Sequence, residues 1–150
     1  MIVGGKKKPY TLDLPRGWED QTVFTFTGPE VDGRAHLLMM TLDRHPRTED
    51  IEEFVRDRTV PIIAAMETVD VLKHQEITVE DGNPAWEFVY KWVPGEGIAL
   101  LHMYVFVLSG SVGFMFTIQF TKRSYQILGD HVRDLIEELL PGTYESPEED

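Results

Sequence analysis

Five histidines, His36, His45, His74, His102 and His131, and no cysteine are the material from which metal binding or nucleophilic catalysis would have to be built. Two imidazoles aimed at one ion stand a helical turn apart, as in H-E-x-x-H, and no pair here has that spacing. Without cysteine there is no thiolate nucleophile, no disulfide and no Cys-type zinc site. Ser109-Gly110-Ser111-Val112-Gly113 comes nearest to the G-x-S-x-G nucleophile elbow, but serine replaces its first glycine and a strand-like stretch follows where a helix should. Gly95 and Gly97 flank Glu96, whose carboxylate would repel a phosphate, and neither a P-loop nor a dinucleotide fingerprint occurs. Carboxylates are frequent enough to meet by chance, so spacing alone nominates no acid–base pair. The expected function is therefore binding, with no enzyme activity, catalytic residue, metal or cofactor nominated.

The composition narrows the partner. A net charge of −12 disfavours nucleic acid, whose phosphates are held by Lys and Arg. The 42% hydrophobic content suits a packed core, and 150 residues suit one domain spanning 1–150, with 1–8 and 142–150 expected as loose ends. Lys6, Lys7 and Lys8 follow the first apolar residues instead of preceding them, and no apolar run of signal-peptide length occurs before Trp18. A cytoplasmic protein without membrane insertion is expected.

Residues 97–122 are the longest nearly uncharged stretch and read as a β-hairpin rich in β-branched and aromatic residues. A Ser109-Gly110 loop would set Val107 opposite Val112, Val105 opposite Phe114 and Met103 opposite Phe116, an apolar face; a three-residue loop would stack Phe106 on Phe114 instead. The other face mixes Leu100, His102, Tyr104, Phe106 and Leu108 with Ser111, Gly113, Met115, Thr117 and Gln119. Both faces are too apolar for open water, so each must be covered.

Around the hairpin the periodicity predicts strands at 10–14, 21–27 and 35–42, the last apolar on both sides and therefore central. Trp18, after the Pro15-Arg16-Gly17 turn, is expected as a lid over the core edge. Thr48 is the expected cap of a helix with acidic residues in its first turn, and Pro61 should kink or split that helix near Arg58. Residues 69–73 lead toward a strand at 76–80. Trp86, Phe88, Tyr90 and Trp92 then share one side of a strand, with Glu87, Val89 and Lys91 on the other. Ser124 is expected to cap a last helix reaching Leu140, with Leu128, Val132, Leu135, Ile136 and Leu139 on its apolar side. Strands, helix, strands, helix in this order predict an α+β fold, an antiparallel sheet of six or seven strands with helices packed on it and the hairpin at its centre.

Residues 10–23, with Leu14-Pro15-Arg16-Gly17-Trp18-Glu19-Asp20, resemble the opening of the DcrB-related family, "LP-x-GW-x-D-x-(S/T)-V". Gly82-Asn83-Pro84-Ala85-Trp86-Glu87-Phe88-Val89-Tyr90-Lys91-Trp92 resembles that family's "G-x-PA-x-E-x-x-Y-x-W", and the aromatic hairpin precedes a final helix as in the family. The resemblance implies a curved antiparallel sheet of the Mog1/PsbP-like class. It also implies the company of Eag-type chaperones of type VI secretion, which hold hydrophobic N-terminal transmembrane helices of secreted effectors; other members are periplasmic lipoproteins.

A chaperone or adaptor for such helices would use the mixed face of the hairpin: Leu100, His102, Tyr104, Phe106, Met115, Thr117 and Gln119 are the expected client-binding residues. A protein-binding module of the same fold with another partner is the alternative. The same face could instead be core beneath the protein's own helix or the contact of a homodimer, which is expected because so apolar a face is unsuited to a free surface.

Overall fold

The computed structural model describes residues 14–19, 21–66, 69–95, 97–110 and 112–140. In chain order the elements are β1 (Val23–Thr27), β2 (Leu37–Asp43), α1 (Ile51–Ala65), β3 (Asp70–Thr78), β4 (Pro84–Trp92), β5 (Leu100–Ser109), β6 (Val112–Thr121) and α2 (Lys122–Leu139). The expected strand at 10–14 and the two expected loose ends lie outside the described residues, apart from Leu14, which is in no strand.

The strands form one curved antiparallel sheet in the order β1-β2-β6-β5-β4-β3, so the aromatic hairpin is its central pair. That placement answers the two-sided apolar pattern, since a central strand has neighbours on both edges and cover on both faces. β2 is not central but second from the edge. One side of it, Leu38 and Met40, is buried, while Leu37 and Met39 on the other are exposed.

The hairpin register differs from both expected ones. Ser109 pairs with Val112, Val107 with Phe114 and Val105 with Phe116, a shift of two residues from the Ser109-Gly110 loop. Gly110 takes the first loop position with φ 62°, the left-handed conformation that glycine adopts at least cost, which frees Ser109 to join the ladder. Because side chains alternate with period two, the shift changes partners and leaves the faces as expected.

α2 lies on the face of Val105, Val107, Phe114 and Phe116, burying Leu128, Val132 and Ile136 with Leu135 and Leu139 at the margin. Its cap is Thr121, with Ser124 three residues on: the Ser124 amide donates to Thr121 Oγ1 at 3.0 Å and the Thr121 amide to Ser124 Oγ at 2.9 Å. This reciprocal box satisfies two amides that the helix start leaves free. The same face buries a carboxylate. Glu87, 2% exposed, meets Arg133 of α2 at 3.4 Å and Lys73 of β3 at 3.8 Å. Lys73 also donates to the Tyr125 hydroxyl at 3.2 Å; that bond, with the charge of Glu87 behind it, lifts the Lys73 ammonium above its ordinary pKa against the opposing effect of burial. The cluster ties α2 to two strands.

α1 covers part of the opposite face. Asp50, not Thr48, is its N-cap, accepting from the Glu52 amide at 3.0 Å, while the Thr48 hydroxyl accepts from the Asp50 amide and donates to Glu53. The helix runs unbroken through Pro61, so of the expected kink or split the split does not occur. Pro61 and Asp57, whose carbonyl loses its donor, are both exposed, so water can serve that carbonyl. Phe54 seats the helix: its ring lies over Gly113 and meets Phe106 edge-on at 6.3 Å. β3 is one nine-residue strand with a bulge between Val71 and Lys73, so the strand expected at 76–80 begins earlier and takes in most of the lead-in at 69–73. Trp18 is 72% exposed and no lid; the turn closed by its amide on the Pro15 carbonyl, with Gly17 at φ 91°, directs it to solvent.

Two stability measurements test these contacts. A methyl group on Gly113 would lie inside the packing envelope of the buried Phe54 ring, so Gly113→Ala should cost about 1–3 kcal/mol in urea unfolding. An unchanged midpoint would show that Phe54 is not seated there. Glu87→Ala should cost about 1–3 kcal/mol, since Arg133 and Lys73 lose their partner yet stay partly solvated.

Candidate functional site: a half-covered sheet face

Six strands span five spacings of roughly 4.8 Å, about 24 Å in all, whereas one helix with its side chains is about 10 Å across. A helix that runs along the strands roofs about half of such a face. α1 packs on β4 and β5, burying Phe88, Tyr90, Phe106 and Leu108 against Ile51, Phe54 and Val55. Toward β1 and β2 the same face opens: Val23 and Leu37 are each 49% exposed and Met39 39%.

The pairing shows how the open and covered parts join. Thr25, Met39, Thr117 and Tyr104 stand side by side across four strands, and Val23, Thr41, Met115 and Phe106 form the neighbouring row. Each row begins exposed at β1 and ends in the α1-covered cluster. The result is an apolar strip interrupted by threonines and an amide, with α1 along one side.

The residues expected to bind a client are brought onto this one face, but not all are accessible. Leu100 (8% exposed) and Phe106 (0%) are core, Phe106 because α1 places Phe54 against it. His102, Tyr104, Met115 and Thr117 are half-buried and Gln119 is exposed, so these five belong to the strip. Val23, Leu37 and Met39 extend it and were not nominated. For Leu37 and Met39 the signal was the two-sided apolar pattern of 35–42, which reflects an open apolar side, not a central position.

Beside the strip runs an aromatic ladder. Tyr104 stacks on Phe106 at 6.0 Å and on Tyr90 at 6.3 Å, Tyr90 stacks on His102 at 5.0 Å, and Trp92 meets His102 edge-on at 5.9 Å. His102 Nδ1 is 3.1 Å from the Tyr90 hydroxyl, while its Nε2 is buried with no hydrogen-bond partner. Burial holds the ring's pKa below the usual histidine value; the Gln119 amide opposite pulls the other way without reaching hydrogen-bond geometry. Burial also raises the Tyr90 phenol far above its normal range.

On the other face, a cleft of about 50 Å³ lies between β1, β2 and α2, lined by Phe26, Pro29, His36, Leu128 and His131 among others. His36 donates from Nδ1 to the Pro29 carbonyl at 3.0 Å, and the space suits a water molecule, not a substrate. Among the described residues no three His, Asp or Glu side chains are placed to share a metal ion, and no helix is long and apolar enough to cross a membrane.

Sheet order, helix placement and strip together define a small α+β module with one half-covered apolar face. The chain belongs to the DcrB family, whose model matches residues 10–138. Its fold is similar to that of PA94, a Pseudomonas aeruginosa protein of unknown function, with a TM-score of 0.73 at 18% identity over 91% of this chain and 94% of that one. The Saccharomyces cerevisiae Ran-binding protein Mog1p is also similar, with a TM-score of 0.40 at 10% identity, over 64% of this chain and 55% of that one. No curated protein matches the chain.

The site makes a prediction about pH. A histidine whose pKa is depressed by folding contributes stability that is complete above its unfolded value near 6.5 and declines as pH falls from there toward the folded value. His74, also held low by burial, has the same sign. Stability should therefore fall between pH 7 and 5, and the fall should be smaller in His102→Gln, measured by urea midpoints at each pH. Equal slopes would show that the ring is freely hydrated.

Proposed function

We propose that this protein is a non-catalytic chaperone or adaptor that shields apolar helices of a client protein on the strip beside α1. The supporting observation is that a helix-width of apolar sheet, with Leu37 and Met39 at its exposed end, lies open next to a helix already docked on the same face. An apolar client helix would lie there as a second roof. Covering a few hundred Å² returns roughly 25 cal/mol per Å², several kcal/mol before association costs. Tyr104, Met39 and Met115 offer adaptable apolar area, which suits clients of varied sequence, and Thr117 and Gln119 can pair with polar groups on the client.

The resemblance to Eag-type chaperones suggests the client: the hydrophobic N-terminal transmembrane helices of a type VI secretion effector, held in the cytoplasm before export. Without a client, a second copy of the chain would shield the same strip, and a two-fold homodimer is part of the proposal.

Leu37→Glu combined with Met39→Glu tests it, because both side chains are already partly in solvent and the fold should tolerate the change. The parent should keep the co-expressed N-terminal segment of a neighbouring effector gene soluble. The double variant should unfold within a few degrees of the parent yet leave that segment insoluble. A folded variant that still retains the segment would overturn the assigned surface.

A further inference from the structure

Among the described residues lining the strip, His102 is the side chain whose charge changes near neutral pH; Val23, Thr25, Leu37, Met39, Met115, Thr117 and Gln119 do not ionise and Tyr104 is a phenol. Its ring is boxed by Tyr90 and Trp92, one nitrogen is engaged by the Tyr90 hydroxyl, and the other is buried without a partner. We propose that His102 is a protonation gate on the client strip: the neutral ring admits an apolar helix and the imidazolium excludes it. This rests on the client-binding reading and adds its regulation.

The geometry supplies the asymmetry. Neutral imidazole needs one donor and one acceptor site, and with Nδ1 engaged by the Tyr90 hydroxyl only one uncharged valence, on the buried Nε2, is left unfilled. Imidazolium carries a proton on both nitrogens, so Nε2–H would then need an acceptor. In the uncovered protein the exposed Gln119 side chain opposite His102 is free to turn its carbonyl to Nε2–H or to swing aside and admit water. An apolar helix over the strip pins Gln119, excludes the water it would admit and offers no acceptor or counter-charge of its own, so protonating the ring would bury an ion without a counter-charge.

Among the described residues no charged side chain compensates. β4 presents Tyr90 and Trp92 to the ring, β6 presents Gln119 and β5 itself Tyr104. α1 contributes Ile62 and Met66 to the cluster on this face, and its Arg58 is bound to Asp43, which pairs with Gly113 at the far end of β6. On β3, Val71 is opposite Tyr90, and His74 is engaged by the Trp86 indole. Lys73 and Glu87 belong to the α2 face. The coupling is reciprocal: whatever factor protonation removes from client affinity, client binding removes from the proton affinity of His102.

The experiment uses the full chain and a fluorescent Leu/Ala helical peptide of about 20 residues, long enough to cross the strip, with lysines at both ends. Anisotropy should show affinity falling about fivefold or more from pH 7.5 to pH 5.0 in the parent, on the way to the tenfold limit that a one-unit depression of the His102 pKa on binding reaches below both pKa values. In His102→Gln the fall should be less than about twofold, that residual being the general effect of titrating carboxylates on a cationic peptide. A parallel NMR titration of the parent needs no variant, and should show the His102 ring signals moving to lower pKa when peptide saturates the protein. Peptide that binds at pH 7.5 with equal pH dependence in both proteins, or an unmoved His102 titration, overturns the gate and leaves the client reading standing. Peptide that fails to bind the parent at pH 7.5 overturns both.

Discussion

A six-stranded sheet whose central pair is apolar on both faces must be roofed twice, and the described part of the chain provides one helix for each roof. On one side α2 succeeds, because the side chains of its eighteen residues reach from Lys73 of β3 and Glu87 of β4 to Leu38 of β2. On the other, α1 is shorter and is drawn to one half of the sheet by the Phe54 ring, which fits where Gly113 has no side chain. Each further feature of the candidate site, from exposed Leu37 and Met39 to half-buried His102, follows from that off-centre seat.

The two faces treat buried polarity in opposite ways. Glu87 on the α2 face is almost wholly enclosed, yet it has two cations, so its charge is answered and binds three elements together. His102 on the α1 face has one nitrogen answered and one not. A polar atom left unpaired inside a native protein calls for an explanation, and the closed face has no comparable orphan among the described residues. The orphan lies beside the part of the sheet that α1 leaves uncovered, where an occupant would matter most.

The family pattern around β4 acquires a physical meaning here. In Pro84-Ala85-Trp86-Glu87-Phe88-Val89-Tyr90-Lys91-Trp92, Ala85 and Val89 pack toward α2 and Glu87 centres the ion cluster. Tyr90 and Trp92 point the other way and box His102. One strand thus builds the sealed face with its odd positions and the wall of the open face with its even ones. The fold shared with PA94 at 18% identity shows that this architecture tolerates wide sequence change.

Local chemistry was legible in the residues alone. Alternation at 86–92, the two-sided apolar hairpin and the stripe of Leu128, Val132 and Ile136 prescribed strand faces, a central pair and a docked helix, because side-chain periodicity is a property of the backbone itself. Long-range choices were not. Whether Phe106 is client surface or core depends on where α1 lands, and α1 lands where Gly113 leaves room, a contact between residues far apart in the chain. Both sides of β2 look alike in sequence, so only its pairing between β1 and β6, where α1 touches no more than Asp43 at its end, left Leu37 and Met39 open. The hairpin loop and the caps fell one or a few residues from expectation, since competing local solutions differ by about 1 kcal/mol and tertiary packing selects among them.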